Sequence, residues 1–397
     1  MRHPATVFRT LLILVLATAL RAADEPFPTI GHLAVPDTAP FTVKGGTVSA
    51  DLPLTASWYA DWMAGRWPHD KLEAEPAVIQ KILEGQSVPV KIYFPATLEP
   101  GRRYALFIGN ITEFKDSRDG AGGYAKEGHA AGYIVAGFGL SDALHDAKVG
   151  DTWKVHAAVS VYVASVIARW APVDPNRVYI GGHSGGAKIS TGLYSYFPLD
   201  YAGLMTLGCN QFVMLEQGKV VQTAAPTRGA AEFCGTGMKD DIAPVASSKG
   251  VFEQMKSALK FPYLLSVDHP EGHTTTDGQN KIAFEFFNTS YADWYGKTES
   301  GFLRQGLAAA KAKRFGEAMM PLLRIASFKP ESEPAKQAQA QLDALEADRT
   351  AALARADELV AAGKKGDAKR ALLDAAKRFA GSWYQAEFVA KAQAIGK

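Results

Sequence analysis

The chain has 397 residues, of which 47% are hydrophobic and 21% are charged, and its formal net charge is +2 at pH 7. These values predict a folded protein with one large and one smaller domain, and they exclude a chain that is mainly disordered. They also give no basic surplus of the kind that nucleic-acid binding requires.

The first 23 residues have the layout of a secretory signal peptide. Arg2 and Arg9 precede an apolar run over 11–20, and small residues follow it. The run is too short to span a bilayer as a helix, so we expect cleavage between Ala19 and Asp24 and no membrane span afterwards. The layout predicts a secreted or periplasmic protein.

An N-terminal extension over 24–85 has no clear periodicity, although a helix is predicted over 56–66. Its aromatic residues favour a core packing role, and lining of an acyl or sugar pocket is the alternative. These aromatic residues are Trp58, Tyr59, Trp62 and Trp67.

Strands alternate with helices over 86–297, which predicts an α/β fold with a mostly parallel sheet. Strands are predicted around 88–95, 104–108, 132–137, 178–181, 202–208, 231–235 and 263–267. Helices are predicted over 153–170, from 187 to before Pro198, over 251–259 and over 281–295. A turn is expected at 173–176, directly before the fourth strand.

That fourth strand enters the segment Gly182-His183-Ser184-Gly185-Gly186, which fits the G-x-S-x-G pattern of a nucleophile elbow. The turn is sharp and leaves little room for a Cβ atom on either side of the serine, so glycine is needed there. Ser184 is therefore the candidate nucleophile. His183 is expected to point beside the nucleophile and not toward the proton that a base would remove, so we interpret it as a packing residue.

A serine nucleophile needs an imidazole to take its proton and a carboxylate to orient that imidazole. Asp240 and Asp241 follow the strand at 231–235, and His269 and His273 follow the strand at 263–267. Because the carboxyl ends of parallel strands meet at one edge of a sheet, these groups are predicted near Ser184.

The three segments in this order resemble the α/β-hydrolase family, in particular secreted esterases of the polyhydroxybutyrate depolymerase and feruloyl esterase kind. The resemblance implies Ser184 as nucleophile, Asp240 as orienting acid and His273 as general base. It favours Asp240 over Asp241 because relatives place the acid three residues after a glycine and four before a proline. His269 precedes Pro270 and is expected to end its strand.

An oxyanion hole needs two donors aimed at one point. The backbone amide of Gly185 is expected to supply the first donor. The second is expected from Asn110 or Ile111, after the strand at 104–108, although the usual His-Gly pair of the family is here Gly109-Asn110.

The chain contains two cysteines, Cys209 and Cys234. In an exported protein a disulfide between them is permitted, and two buried thiols are the alternative. No zinc or haem motif is present in the sequence, so no cofactor is expected.

From residue 298 the composition favours helices, and the segment 298–397 is predicted to form a helical domain. A set of residues recurs after fifty positions, which resembles two helical hairpins of tetratricopeptide type; similarity of composition alone is the alternative. The recurring residues are Gly316, Ala318, Leu322, Leu323 and Ala326, then Gly366, Ala368, Leu372, Leu373 and Ala376. Beyond residue 300 there are 17 basic and 11 acidic residues, which is compatible with a docked tail or an anionic partner.

Three functions remain open at this point. The first is a secreted serine hydrolase that cleaves carboxylic esters of a small molecule or a polymer through an acyl-enzyme intermediate. The second is a peptidase or amidase of the same fold. The third is a binding protein with a degenerate hydrolase domain, whose helical tail contacts a protein partner.

Overall fold

A computed structural model describes the greater part of the chain from Pro36 onward. The described residues are 36, 38–54, 85–110, 120–139, 152–196, 200–208, 215–216, 219–220, 229–258, 261–382 and 384–395. The predicted signal peptide, the predicted helix over 56–66, the four N-terminal aromatic residues, Ile111 and Cys209 lie outside these ranges, and the predictions about them stay predictions.

Eight strands form the main sheet, and two short strands form a separate hairpin. In chain order the strands are β1 (Gly46–Pro53), β2 (Ser87–Phe94), β3 (Tyr104–Asn110), β4 (Tyr133–Phe138), β5 (Val173–His183), β6 (Gly203–Leu207), β7 (Leu215–Glu216), β8 (Lys219–Val220), β9 (Ala231–Gly237) and β10 (Tyr263–His269). The order across the main sheet is β1-β2-β4-β3-β5-β6-β9-β10.

Only β2 runs against the other strands of the main sheet, because it pairs antiparallel with both β1 and β4. Every other pair in that sheet is parallel. Parallel strands need crossover connections. Helices lie in the connections from β3 to β4, β4 to β5, β5 to β6 and β9 to β10. The predicted α/β class with a mostly parallel sheet is therefore confirmed.

Nine helices are present in the described residues. They are α1 (Gly122–Ala130), α2 (Thr152–Trp170), α3 (Gly185–Tyr196), α4 (Val245–Ala258), α5 (Asp277–Lys311), α6 (Phe315–Phe328), α7 (Glu333–Ala361), α8 (Lys365–Arg378) and α9 (Tyr384–Ala394). In the part of the chain that is described, no helix has the length and apolar character needed to cross a membrane.

The core lies on both faces of the main sheet. Along β3, Leu106 and Ile108 belong to one apolar cluster with residues of α2 and α3, and Ala105 and Phe107 belong to another with residues of α1 and α5. Alternate residues of a strand point to opposite faces, so an entirely apolar strand requires cover on both sides. β3 meets that requirement because all seven of its residues are buried.

The predicted turn at 173–176 is wrong, because these residues belong to β5. Their register against β3 shifts between Tyr104 and Leu106, so the extra residues form an irregularity within the strand. Inside it, the backbone amide and side-chain amide of Asn176 both donate to Oδ1 of Asp174, at 3.0 and 3.1 Å. The polar groups of Asp174 and Asn176 that favour a turn therefore hydrogen-bond to each other within the strand.

The described chain forms two compact units. One contains the main sheet and comprises the described residues up to Leu303 together with Arg324–Ala338. The other comprises Arg304–Leu323 and Gln339 onward and is helical. The predicted helical character of the C-terminal region is confirmed. α5 runs without interruption from Asp277 to Lys311, past the predicted domain boundary at 298.

Both copies of the fifty-residue repeat form the same turn. Lys313 follows helix α5 and Gly363 follows helix α7. Both residues have the left-handed conformation, with φ of 57° and 74°. Each is followed by a residue whose amide donates to a carbonyl five positions back, at 3.0 Å from Arg314 and 2.8 Å from Lys364. α6 and α8 then begin fifty residues apart and have 14 residues each. Assignment to the tetratricopeptide type stays a prediction.

Candidate active site

Ser184 lies at the bend between β5 and α3, at the carboxyl end of the sheet. Its φ is 55°, a left-handed conformation that is strained for a residue with a side chain. The bend is held by the Ser184 amide, which donates to the carbonyl of Leu207 at 2.8 Å, and by the Ser184 carbonyl, which accepts from the amide of Ala187 at 3.1 Å. This is the strand-to-helix arrangement of a nucleophile elbow.

Glycine is required at position 182 by close contacts on both sides. A Cβ atom there would lie 2.2 Å from the carbonyl oxygen of Asn110 and 2.9 Å from the carbonyl carbon of Gly186. Both are backbone atoms, which cannot move aside as a flexible side chain can. The first glycine of the motif therefore lets β5 lie against β3 while the chain turns back into α3.

The side chain of His273 joins Ser184 to Asp240. Its Nε2 lies 2.9 Å from Oγ of Ser184, and its Nδ1 lies 2.8 Å from Oδ2 of Asp240. An ionised carboxylate only accepts hydrogen bonds, so we assign the proton of the neutral imidazole to Nδ1, which leaves Nε2 to accept from the hydroxyl. The structure thus brings together the three side chains that the sequence places far apart.

The structure distinguishes the two adjacent carboxylates. The side chain of Asp240 is fully buried, whereas Asp241 is exposed. Oδ1 of Asp240 accepts from the amides of Ile242 and Ala243 at 2.9 and 2.7 Å, which leaves Oδ2 for His273. The two amide donors were not predicted from sequence, since any residue other than proline supplies an amide and only the loop conformation aims it.

The pKa of Asp240 lies below its ordinary value. Burial acts to raise it, but the hydrogen bonds from Ala243, His273 and Ile242, together with the charge of His273, outweigh that effect. Hydrogen bonds to the charged form of a carboxyl stabilise that form. Asp240 is therefore ionised at neutral pH, as an orienting acid must be.

This pKa predicts how stability depends on pH. A carboxyl whose folded-state pKa is depressed contributes stability above its unfolded pKa of about 3.9, and that contribution is lost as pH falls through the folded-state pKa. We expect Asp240→Asn, which cannot titrate, to lose less stability than the wild type between about pH 6 and pH 3. Urea unfolding at both pH values measures the free energy of unfolding. Asp241→Asn is the control, and its stability should change with pH as that of the wild type does. An equal pH-dependent loss in wild type and Asp240→Asn would contradict it.

The other histidines near Ser184 make different contacts. His269 ends β10, as expected, and its Nδ1 accepts from the amide of Glu271 at 3.2 Å. His183 packs against His273, with 4.6 Å between ring centroids. Hydrogen bonds to both Ser184 and Asp240 are shown for His273 alone among these three described histidines.

The candidate oxyanion donors lie on either side of the elbow. Gly185 is the first residue of α3, where backbone amides have no partner within the helix. The buried side chain of Asn110 donates to Oγ of Ser190 at 2.8 Å, and Ser190 donates to the carbonyl of Gly186 at 2.8 Å. The Asn110 side chain thus fixes the first turn of α3. Ser190 was not singled out from sequence, because a serine within a helix carries no signal of this contact.

One of the two cysteines lies within the described residues. Cys234 is buried on β9, between Thr206 of β6 and Ser266 of β10 in the ladder. Across the residues described, no group of three or more histidine, cysteine, aspartate or glutamate side chains is placed to hold a metal ion.

Several solved structures to which this chain is similar are named as hydrolases or esterases. A Klebsiella pneumoniae protein assigned as a dienelactone hydrolase is 15% identical, with a TM-score of 0.39 over 53% of this chain and 94% of its own. Esterase 2 of Thermogutta terrifontis is 14% identical, with a TM-score of 0.36 over 52% and 88%. The Bacillus cereus carboxylesterase is 16% identical, with a TM-score of 0.35 over 48% and 90%.

These similarities are too low to carry an argument about activity. No family model matches the chain, and no curated protein matches it. The functional inference therefore rests on the geometry of the site.

Proposed function

We propose that the protein is a serine hydrolase that cleaves carboxylic esters through an acyl-enzyme intermediate, with Ser184 as nucleophile, His273 as general base and Asp240 as orienting acid. The observation that carries this proposal is the pair of hydrogen bonds of His273, one to the Ser184 hydroxyl and one to a buried carboxylate. A hydroxyl at a strained bend within reach of an oriented imidazole is the arrangement that acyl transfer requires.

In the first half of the reaction, Oγ of Ser184 attacks the ester carbonyl while Nε2 of His273 takes the hydroxyl proton. Asp240 stabilises the imidazolium that forms, and it stays ionised. The carbonyl oxygen becomes an oxyanion that accepts from the amide of Gly185 and a second donor around residues 110–111. The tetrahedral intermediate then collapses, the bond to the alcohol breaks, and the alcohol leaves with the proton from His273.

In the second half, water attacks the acyl-serine and gives a proton to His273. The second tetrahedral intermediate releases the carboxylic acid, and Ser184 regains its proton from His273. Every proton transfer uses the same imidazole nitrogen. No cofactor enters either half of the reaction.

The resemblance to polyhydroxybutyrate depolymerases and feruloyl esterases supports a small-molecule or polymer ester as substrate. The signal-peptide layout predicted over 1–23 supports a secreted or periplasmic location. The helical C-terminal region is proposed to contact a protein partner.

A comparison of the rates of ester and amide hydrolysis tests the proposal. We expect the purified full chain to hydrolyse p-nitrophenyl acetate or butyrate with a kcat/KM at least about 100-fold above that for peptide p-nitroanilides. Higher kcat/KM on the anilides would instead assign a peptidase or amidase of the same fold. Absence of turnover on both substrate classes, together with no fluorophosphonate labelling, would favour the binding protein with a degenerate site.

A further inference from the structure

His183 lies directly before the candidate nucleophile and has no part in the proton transfers described above. It is the last residue of β5, and its backbone pairs with Leu207 of β6. The next amide, that of Ser184, donates to the carbonyl of Leu207 at 2.8 Å. The backbone of His183 is therefore fixed to the central part of the sheet.

The imidazole of His183 contacts both His273 and Gly208. On one side its ring faces the ring of His273, with 4.6 Å between centroids and 50° between planes. The ring also lies close to Gly208, where an added Cβ atom would be 2.4 Å from Nε2 of His183. The amide of Gly208 donates to the carbonyl of Gly235 at 2.8 Å, so Gly208 is anchored to β9.

Hydrogen bonds alone leave one motion of His273 unrestrained. Its ring is bonded at Nδ1 and at Nε2, and both bonds act close to the plane of the ring. A rotation about the line through these two nitrogens tilts the ring while it lengthens neither bond at first. A close ring contact opposes this tilt, and His183 makes one, with its ring inclined by 50° to that of His273.

The polar atoms of His183 favour a role in packing. Its Nε2 is buried and has no hydrogen-bond partner among the described residues. Burial, and then the charges of His273 and His269, lower the pKa of His183, while Asp240 acts in the opposite direction. The ring is consequently neutral at neutral pH, so it adds no positive charge beside His273 when that residue accepts the serine proton.

We propose that His183 is a positioning residue for the general base: it holds the ring of His273 in the orientation that serves Ser184 and Asp240 together, by ring contact and without use of its own nitrogens. The proposal rests on the proposed function, since it assigns His273 as the base. In this proposal, the second residue of the elbow motif aligns the general base.

Two substitutions separate ring contact from nitrogen chemistry. His183→Ala removes the ring, whereas His183→Phe keeps a planar ring and removes both nitrogens. With p-nitrophenyl acetate we expect His183→Ala to lower kcat about 10- to 100-fold with KM within about twofold, and His183→Phe to stay within about threefold of the wild type. The rate of fluorophosphonate labelling at Ser184 should change in parallel, and thermal unfolding monitors folding of each variant.

A spectroscopic measurement keeps this test independent of turnover. The Nδ1 proton of His273, bonded to Asp240, should give a downfield NMR signal in the wild type and in His183→Phe, and a broadened or absent signal in His183→Ala. Retention of the wild-type signal and labelling rate in His183→Ala would overturn the proposal, as would equal losses in both variants. If the wild type neither labels nor turns over, the proposed function fails, and the NMR signals still decide whether His183 positions His273.

Discussion

Replacement of Ser184 by alanine is expected to reduce ester hydrolysis by at least about 10⁴-fold and to abolish covalent labelling by a fluorophosphonate, because the acyl-enzyme cannot form without the hydroxyl. The remaining rate would come from substrate binding and the oxyanion donors alone. The variant should fold, since alanine fits the bend as well as serine does and a helix follows directly. Steady-state kinetics and mass spectrometry of the labelled protein measure both effects.

Ser247→Ala is the matched control for this prediction. Ser247 is exposed on α4, so its hydroxyl can be removed without a change in the core. We expect wild-type kcat and full labelling for this variant. The assignment of Ser184 would be lost if Ser184→Ala retained more than about a tenth of the wild-type rate, or if the label were found on a peptide without residue 184.

The second large effect is expected at Asp240. Asp240→Asn keeps the size of the side chain but removes the charge that stabilises the imidazolium, and its amide NH₂ can force His273 into the wrong tautomer. We expect kcat to fall about 10³- to 10⁴-fold with a much smaller change in KM. The pH dependence of kcat should also change, because the imidazole loses its carboxylate partner.

The adjacent Asp241→Asn makes the same chemical change one position along the chain. The side chain of Asp241 is exposed and that of Asp240 is fully buried, so the pair differs in placement and not in residue type. We expect Asp241→Asn to keep kcat within about twofold of the wild type. Equal losses in the two variants, or the larger loss at Asp241, would exclude Asp240 as the orienting acid.

The parallel sheet could be predicted from sequence because most of its strands are buried on both faces. A strand of this type is an unbroken apolar run that can be recognised without knowledge of its partner strands, as at Tyr104–Ile108. β1 could not be found in this way. Its residues mix buried and exposed positions, and it becomes a strand because Gly46–Pro53 pairs along its whole length with β2. The intrinsic preference of residues for strand conformation is weak, so pairing with a neighbouring strand decides whether such a segment becomes a strand.

The full length of helix α5 could not be predicted from the local sequence either. A helix was predicted over 281–295, and the structure has it over Asp277–Lys311. The later part combines alanine and lysine with glycine, and no proline ends it before Lys311. The end is set instead by Lys313, which takes up the left-handed conformation that glycine supplies at the equivalent position 363. A lysine gives no sequence signal for this conformation.

The sequence by itself determined which chemical groups are available and in what order: a serine between glycines at a strand end, then a carboxylate pair, then histidines, each after a predicted strand. These signals are local, since each depends on a few neighbouring residues. Only the tertiary structure decided which members of this set meet. Asp240 and not Asp241 is buried against His273, because the amides of Ile242 and Ala243 hold its carboxylate in place. His273 and not His269 reaches Ser184, because His269 still belongs to β10 and His273 lies in the loop beyond it.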